Sequence, residues 1–178
     1  MANFNIFEVQ LTGFNHTTMK PLTEAELSQF LGVYPPEYQL IKNAAYKEGH
    51  LKAELIPFIY PFSKEDPNYI TATQIQLFLS QLAYVLLAKS ISDPEYTTLS
   101  KFISLDAYTD KMFASKLFFA NLEQKMRRVI YKKNMPISAE MKINWAKVVK
   151  GTGFCEVEFD IGNEACYGEI LLSVQLAQ

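Results

Sequence analysis

The chain has 178 residues, 49% of them hydrophobic and 20% charged, a mixture that suits one domain with a sizeable core. Seventeen Lys and Arg against nineteen Asp and Glu leave a net charge of -2, which argues against nucleic acid as a partner held through its phosphates. Two His and two Cys are a poor supply for a zinc site or for Cys-His or Ser-His catalysis, so no metal or cofactor is expected.

The opening stretch, MANFNIFEVQLTG, has no basic start and no apolar block before a small-residue cleavage site, unlike a secretory signal. The longest apolar run, 77–88, is interrupted by Ser80, Gln81 and Tyr84 and is shorter than the roughly 20 residues of a membrane span. A cytoplasmic protein without a membrane span is expected.

The segment 21–32, PLTEAELSQFLG, carries Thr23 with Glu26 three residues on and ends in Gly. That is a capping box opening a short helix, with Leu27, Phe30 and Leu31 on its inner face. Pro35-Pro36 then enforces an extended break. Residues 38–47 and 51–60, rich in Tyr, Leu and Ile around Glu48-Gly49-His50, read as a β-hairpin whose pairing ends at Pro57 and Pro61. His16, in a polar loop, and His50, in the hairpin turn, read as exposed.

A polar loop, 61–67, leads to a helix over about 70–90 that stops before Asp93-Pro94. It is apolar on nearly every side, so something must wrap it, and a curved antiparallel sheet is the natural wrapper. The stretch 105–133 tolerates both a helical and an alternating period. It is read as a short helix to about 114 followed by a long strand. Residues 141–149 and 153–161 read as strands, and Gly162-Asn163 turns into a last strand over 166–176. Cys155 and Cys166 fall in these strands and read as buried free thiols. The order implies a single α+β domain in which a long buried central helix fills a curved antiparallel sheet, the hot-dog architecture.

Thr71, Gln74, Phe78, Gln81 and Tyr84 fall on one side of the central helix by three- and four-residue spacings. Such a seam either bonds to strand backbone or a partner subunit, or lines a slot where a polar ligand meets the core. In the second case the helix start, 69–73, offers backbone N–H groups and a positive dipole end to an oxygen becoming anionic.

Four short motifs occur in an order and spacing that resemble one family. LSQFLGVY (27–34) is similar to the family's entry helix and following Tyr. Ser80-Gln-Leu-Ala-Tyr84 is similar to its Asn-Gln-Leu-Ala-Tyr. Ser104-Leu-Asp-Ala-Tyr108 is similar to its Ser-Ile-Asp-Asp-Tyr, and Gly168-Glu169-Ile170 to its Gly-Glu-Ile. The family is the FcoT-like thioesterases, hot-dog proteins acting on long-chain fatty acyl-CoA.

The resemblance implies an acyl-CoA or acyl-carrier-protein substrate and a homodimer or higher homo-oligomer. It implies a catalytic group at Tyr69, Thr71 and Gln74, with Tyr34, Phe78, Gln81 and Tyr84 around the substrate. The family opens this helix with His-Phe-Asn-Ala-Val-Glu, whereas this chain has Tyr69-Ile70-Thr71-Ala72-Thr73-Gln74. Every ionisable group there is replaced by one that orients and donates but is a poor general base. Relatives in the family also add glycine to a 2-enoyl thioester, a reaction with less need to activate water, and a binding-only dimer is the third reading. Glu65, Asp66 and Glu169 are the carboxylates that could compensate. The cluster Lys125, Arg127, Arg128, Lys132 and Lys133 is either a solvated edge or a dock for the phosphates of coenzyme A or for an acidic carrier protein.

Overall fold

The computed structural model describes residues 18–59, 66–94, 97–101, 103–113 and 117–175. His16, Tyr60 and Glu65 lie outside the described residues. A two-residue strand β1 (Lys20–Pro21) leads into α1 (Glu24–Phe30), where Thr23 and Glu26 form the expected reciprocal cap. Strands β2 (Ile41–Lys47) and β3 (His50–Leu55) form the hairpin. Its two-residue loop, Glu48-Gly49, has positive φ at both positions, the geometry that matches the right-handed twist of the strands. β2 starts three residues later than the pattern suggested because Pro36–Tyr38 closes a 3-10 turn.

The central helix α2 runs Ala72–Ser92 and is followed by α3 (Thr97–Ser100), a turn of helix that periodicity did not reveal, and α4 (Leu105–Phe113). Then come β4 (Leu117–Met126), β5 (Ile137–Val149), β6 (Thr152–Ile161) and β7 (Cys166–Gln175). The strands form one antiparallel sheet in the order β1-β2-β3-β5-β6-β7-β4. The chain is therefore α+β, with a long helix against a seven-stranded antiparallel sheet.

By length and composition α2 could cross a membrane, yet 67% of that apolar window is buried inside the protein. Ile75, Phe78, Leu79, Leu82, Val85 and Leu86 are fully buried. They meet the inward positions of the sheet, such as Met141, Val157, Ile161 and Ile170. Each such side chain contributes about 1.5–3 kcal/mol relative to exposure.

The long strand expected after residue 114 ends at Met126. Arg127 and Arg128 turn away because their N–H groups donate to the Ala165 carbonyl in the β6–β7 turn. Tyr131 then makes a single bridge to Tyr69, and Lys132–Asn134 forms another 3-10 turn. Ile130, beyond the end of the strand, is buried without continued strand pairing.

The outer face of the sheet carries a row of charge. Glu123 on β4 pairs with Glu169 on β7, Glu169 with Glu158 on β6, and Glu158 with Lys142 on β5. Like charges directly opposite one another are destabilising. Glu169→Gln, at the centre of three carboxylates, is therefore expected to raise the melting temperature by about 1–2 °C at low salt. The gain should vanish at high ionic strength, which a pair of thermal melts would check.

Candidate functional site

At the start of α2, Thr71 is the N-cap: its Oγ1 accepts from Gln74 N–H at 3.3 Å, and Gln74 Oε1 accepts from Thr71 N–H at 3.2 Å. The Gln74 amide that the helix end could offer a ligand is thus taken by the cap. Gln74 is fully buried and its Nε2 donates to the Phe58 carbonyl at 2.8 Å, just past β3. Tyr69 lies in the bridge to Tyr131 and is 48% exposed.

Two turns on, Phe78 is core and fully buried, so it lines no open slot. Gln81 is also fully buried, and both ends of its amide are engaged. Its Oε1 accepts from Leu40 N–H at 2.7 Å and its Nε2 donates to the Tyr38 carbonyl at 2.6 Å. Gln74 and Gln81 therefore clamp the open ends of the β2–β3 hairpin onto the helix. For these two residues the observed partners are main-chain groups, the first of the two readings of the seam.

At 1.5 Å per residue, Tyr84 lies about 20 Å along the helix from Thr71. The seam is thus two places, and one thioester head group cannot touch both. The second place is built from tyrosines. Tyr34, delivered by the chain after α1, packs its ring 5.8 Å from that of Tyr84. Its phenol lies near the Ser80 hydroxyl, which itself donates to the Gln76 carbonyl at 3.0 Å. Tyr108 on α4 is 1% exposed and its phenol donates to the Tyr84 carbonyl at 3.3 Å.

Burial raises the pKa of all three phenols above the ordinary value, and for Tyr34 and Tyr108 the nearby Tyr84 adds to the effect. They are neutral donors at any physiological pH. Tyr34 and Tyr84 are half-buried, so they can meet a ligand, whereas Tyr108 supports them from behind. Ser80 and Tyr108 join this cluster only through the fold. Their only signal was membership of the two tyrosine-ending motifs.

Beneath Tyr108 is an apolar void of about 20 Å³ bordered by Leu87, Ile91, Leu99, Cys155 and Leu172. It is large enough for about one methylene group, so a long chain entering here must part α3 and α4 from the sheet. Cys155 and Cys166 are buried free thiols, with pKa values pushed up by burial to about 12 and about 11. They are protonated and unreactive in this state.

The candidate compensating carboxylates stand elsewhere. Asp66 is ion-paired with Lys132. Glu169 is exposed on the outer face of the sheet. That face holds a concavity of about 920 Å³ bordered by Glu123, Glu140, Lys142, Glu158, Asp160 and Glu169. It is open and on the opposite side of the sheet from the tyrosines. His50 sits at its rim, half-buried instead of exposed, with Nε2 3.2 Å from Glu140, whose other oxygen is 3.0 Å from Lys52.

The basic cluster is largely occupied. Arg127 stacks on Tyr167, 4.8 Å from the ring centroid, and its Nη1 is 2.8 Å from Glu164. Arg128 donates to the Gly162 carbonyl at 3.2 Å and to that of Asn163. Both arginines hold the β6–β7 turn. Among the described residues no group of three or more His, Cys, Asp or Glu is arranged to hold a metal.

No known protein family and no curated protein matches this chain.

Proposed function

We propose that this chain is an acyl-thioester-binding protein of the FcoT-like hot-dog type. It receives the thioester carbonyl at Tyr34, Ser80 and Tyr84 and hydrolyses medium- or long-chain acyl-CoA or acyl-carrier-protein thioesters. The observation that carries this reading is the pair of neutral phenols, Tyr34 and Tyr84, gathered at one half-buried point of an apolar helix. The phenols of Tyr34 and Tyr84 would donate to the carbonyl oxygen, and their bonds would strengthen as that oxygen becomes an oxyanion. Phenols held protonated by burial keep the donor form that this role needs. Tyr69, Thr71 and Gln74 keep the helix start in place and do not touch the same carbonyl.

A second reading is favoured by what the described part of this cluster consists of, which is donors with no carboxylate or imidazole beside them. Addition of glycine to a 2-enoyl thioester needs the same carbonyl polarisation, but the amine brings its own lone pair and water need not be activated. The test is to incubate pure protein with saturated and 2-enoyl thioesters, with and without glycine, and to identify products by mass spectrometry. Free acid from saturated substrates selects hydrolysis, and a glycine adduct selects addition. Tyr34→Phe is expected to lower the rate of either reaction about a hundred-fold, the usual cost of one oxyanion donor, while leaving the melting temperature within a few degrees. A wild-type rate in Tyr34→Phe would remove the phenol site from consideration. If no product forms but thioesters still raise the melting temperature, the protein binds without catalysing.

A further inference from the structure

Ten large apolar side chains are exposed among the described residues, and six of them, Ile56, Ile59, Tyr69, Val129, Tyr131 and Met135, stand at one end of the molecule. Local pairing brings them together. Leu55, the last residue of β3, pairs with Ile137, the first of β5, so Ile56 leaves the sheet beside the Met135-Pro136 segment that enters it. The Gln74 amide donates to the Phe58 carbonyl at 2.8 Å and so holds Ile59 near the start of α2. Tyr69 bridges Tyr131, and on either side of the bridge Ile70 N–H donates to the Ile130 carbonyl at 2.8 Å and Lys132 N–H to the Asn68 carbonyl at 2.9 Å. Ile70 and Ile130 are buried, so their neighbours Tyr69, Val129 and Tyr131 are turned outward by the alternation of an extended chain.

The same end is cationic. In 56–59, 66–71 and 127–136 the charged residues are Asp66 against Arg127, Arg128, Lys132 and Lys133. Asp66 is paired with Lys132, and Arg127 with Glu164 from the β6–β7 turn. Arg128 bonds to the Gly162 and Asn163 carbonyls, which leave its charge in place, and the Lys133 ammonium stands 5.7 Å from the centroid of the Tyr131 ring. Among the described residues neither Arg128 nor Lys133 has a carboxylate partner. The positive end of α2, which starts at Ala72, adds to this potential.

We infer that this end docks on an anionic lipid bilayer, with the six apolar side chains at the boundary of headgroups and acyl chains and with Arg128 and Lys133 against the lipid phosphates. Tyrosine, with an apolar ring and a polar tip, and lysine, with an apolar stem under its charge, both suit that boundary. A second copy of this chain is a poorer occupant. A two-fold interface sets a patch against itself, so the uncompensated Arg128 and Lys133 would be desolvated next to their own like charges. This docking does not depend on the acyl-thioester reading.

The test is co-sedimentation of the full chain with vesicles of phosphatidylcholine, with and without phosphatidylglycerol. The wild type is expected to bind the anionic vesicles and to be released as salt is added. Ile59→Asp and Lys133→Glu should each weaken binding about ten-fold or more, through loss of one apolar anchor or reversal of one charge at the lipid surface. Both positions are exposed, so the melting temperature should stay within a few degrees. Trp145, the only tryptophan, lies eight residues beyond Ile137 on β5, roughly 25 Å from the docking end, so its emission should not shift on binding. A wild type that ignores anionic vesicles, or binding that both variants leave intact, overturns the inference. So does a blue shift of Trp145, which would place the bilayer at the far end of β5. Loss of self-association in the two variants, with no vesicle binding by the wild type, would give the patch to a second copy and overturn it as well.

Discussion

Titration from pH 9 to pH 11 is expected to remove most of the stability of this protein, because the fold buries phenols and thiols that the unfolded chain would ionise. Burial pushes Tyr46 up to about 12, Cys155 to about 12 and Cys166 to about 11, and it holds Tyr108 well above the ordinary phenol value. All four residues are less than 5% exposed. Tyr46 is held from two sides, with Gly49 N–H donating to its oxygen at 2.8 Å and its hydroxyl donating to Ser90 at 3.2 Å.

The folded pKa values are raised, so their stabilising contribution is complete below the unfolded values, near 9 for thiols and 10 for phenols. It is lost as the pH climbs through the folded values. In that window the folded state binds more protons, and each group costs up to about 1.4 kcal/mol per pH unit. Together they remove roughly 5–8 kcal/mol by pH 11, comparable with the whole stability of an ordinary domain. Urea midpoints followed across this range should fall steeply, with tyrosinate absorbance appearing together with unfolding. A flat profile would mean that these groups are hydrated in solution.

Gln81→Leu is expected to destabilise the protein by roughly 3 kcal/mol, since it leaves the Leu40 N–H and the Tyr38 carbonyl without partners beside a buried helix. For a chain of this length that is about 6–12 °C in melting temperature. Leucine nearly matches the volume of glutamine, so packing is preserved and the loss reports the two hydrogen bonds. The variant also separates two roles for Gln81. A clamp of the hairpin loses stability while the folded fraction keeps its affinity for a thioester analogue. A ligand contact would lose affinity with little change in melting temperature. Thermal melts with and without ligand tell the two apart, and the bonds at 2.7 and 2.6 Å predict the first outcome.

The clamp also shows how a polar seam can persist on a helix that is apolar all round. The residues entering β2 and leaving β3 carry main-chain groups that no neighbouring strand satisfies, and Gln74 and Gln81 reach out from α2 to satisfy them. Thr71 closes the helix end in the same way. What remains for a ligand is the short stretch where Ser80 and Tyr84 meet Tyr34, because there the tyrosine rings pack on one another and stay half-open.

Several features followed from local sequence alone. The Thr23-Glu26 cap, a hairpin turn at Glu48-Gly49, the end of α2 before Asp93-Pro94 and the Gly162-Asn163 turn each depend on residues a few positions apart, although His50, read as part of that hairpin turn, begins β3. All-round apolarity likewise determined that the central helix would be wrapped, and alternation determined that the last third of the chain would be strand. The order of the strands, the end of β4 at Met126 and the partners of Gln74 and Gln81 were decided only by the tertiary structure. So were the meeting of Tyr34, Ser80, Tyr84 and Tyr108, and the row of three glutamates. Each depends on groups tens of residues apart: Gln81 reaches back 43 positions to Tyr38, and Arg127 reaches forward 37 to Glu164. Periodicity reports which face of an element is buried, but it carries no information about which distant group will lie against that face.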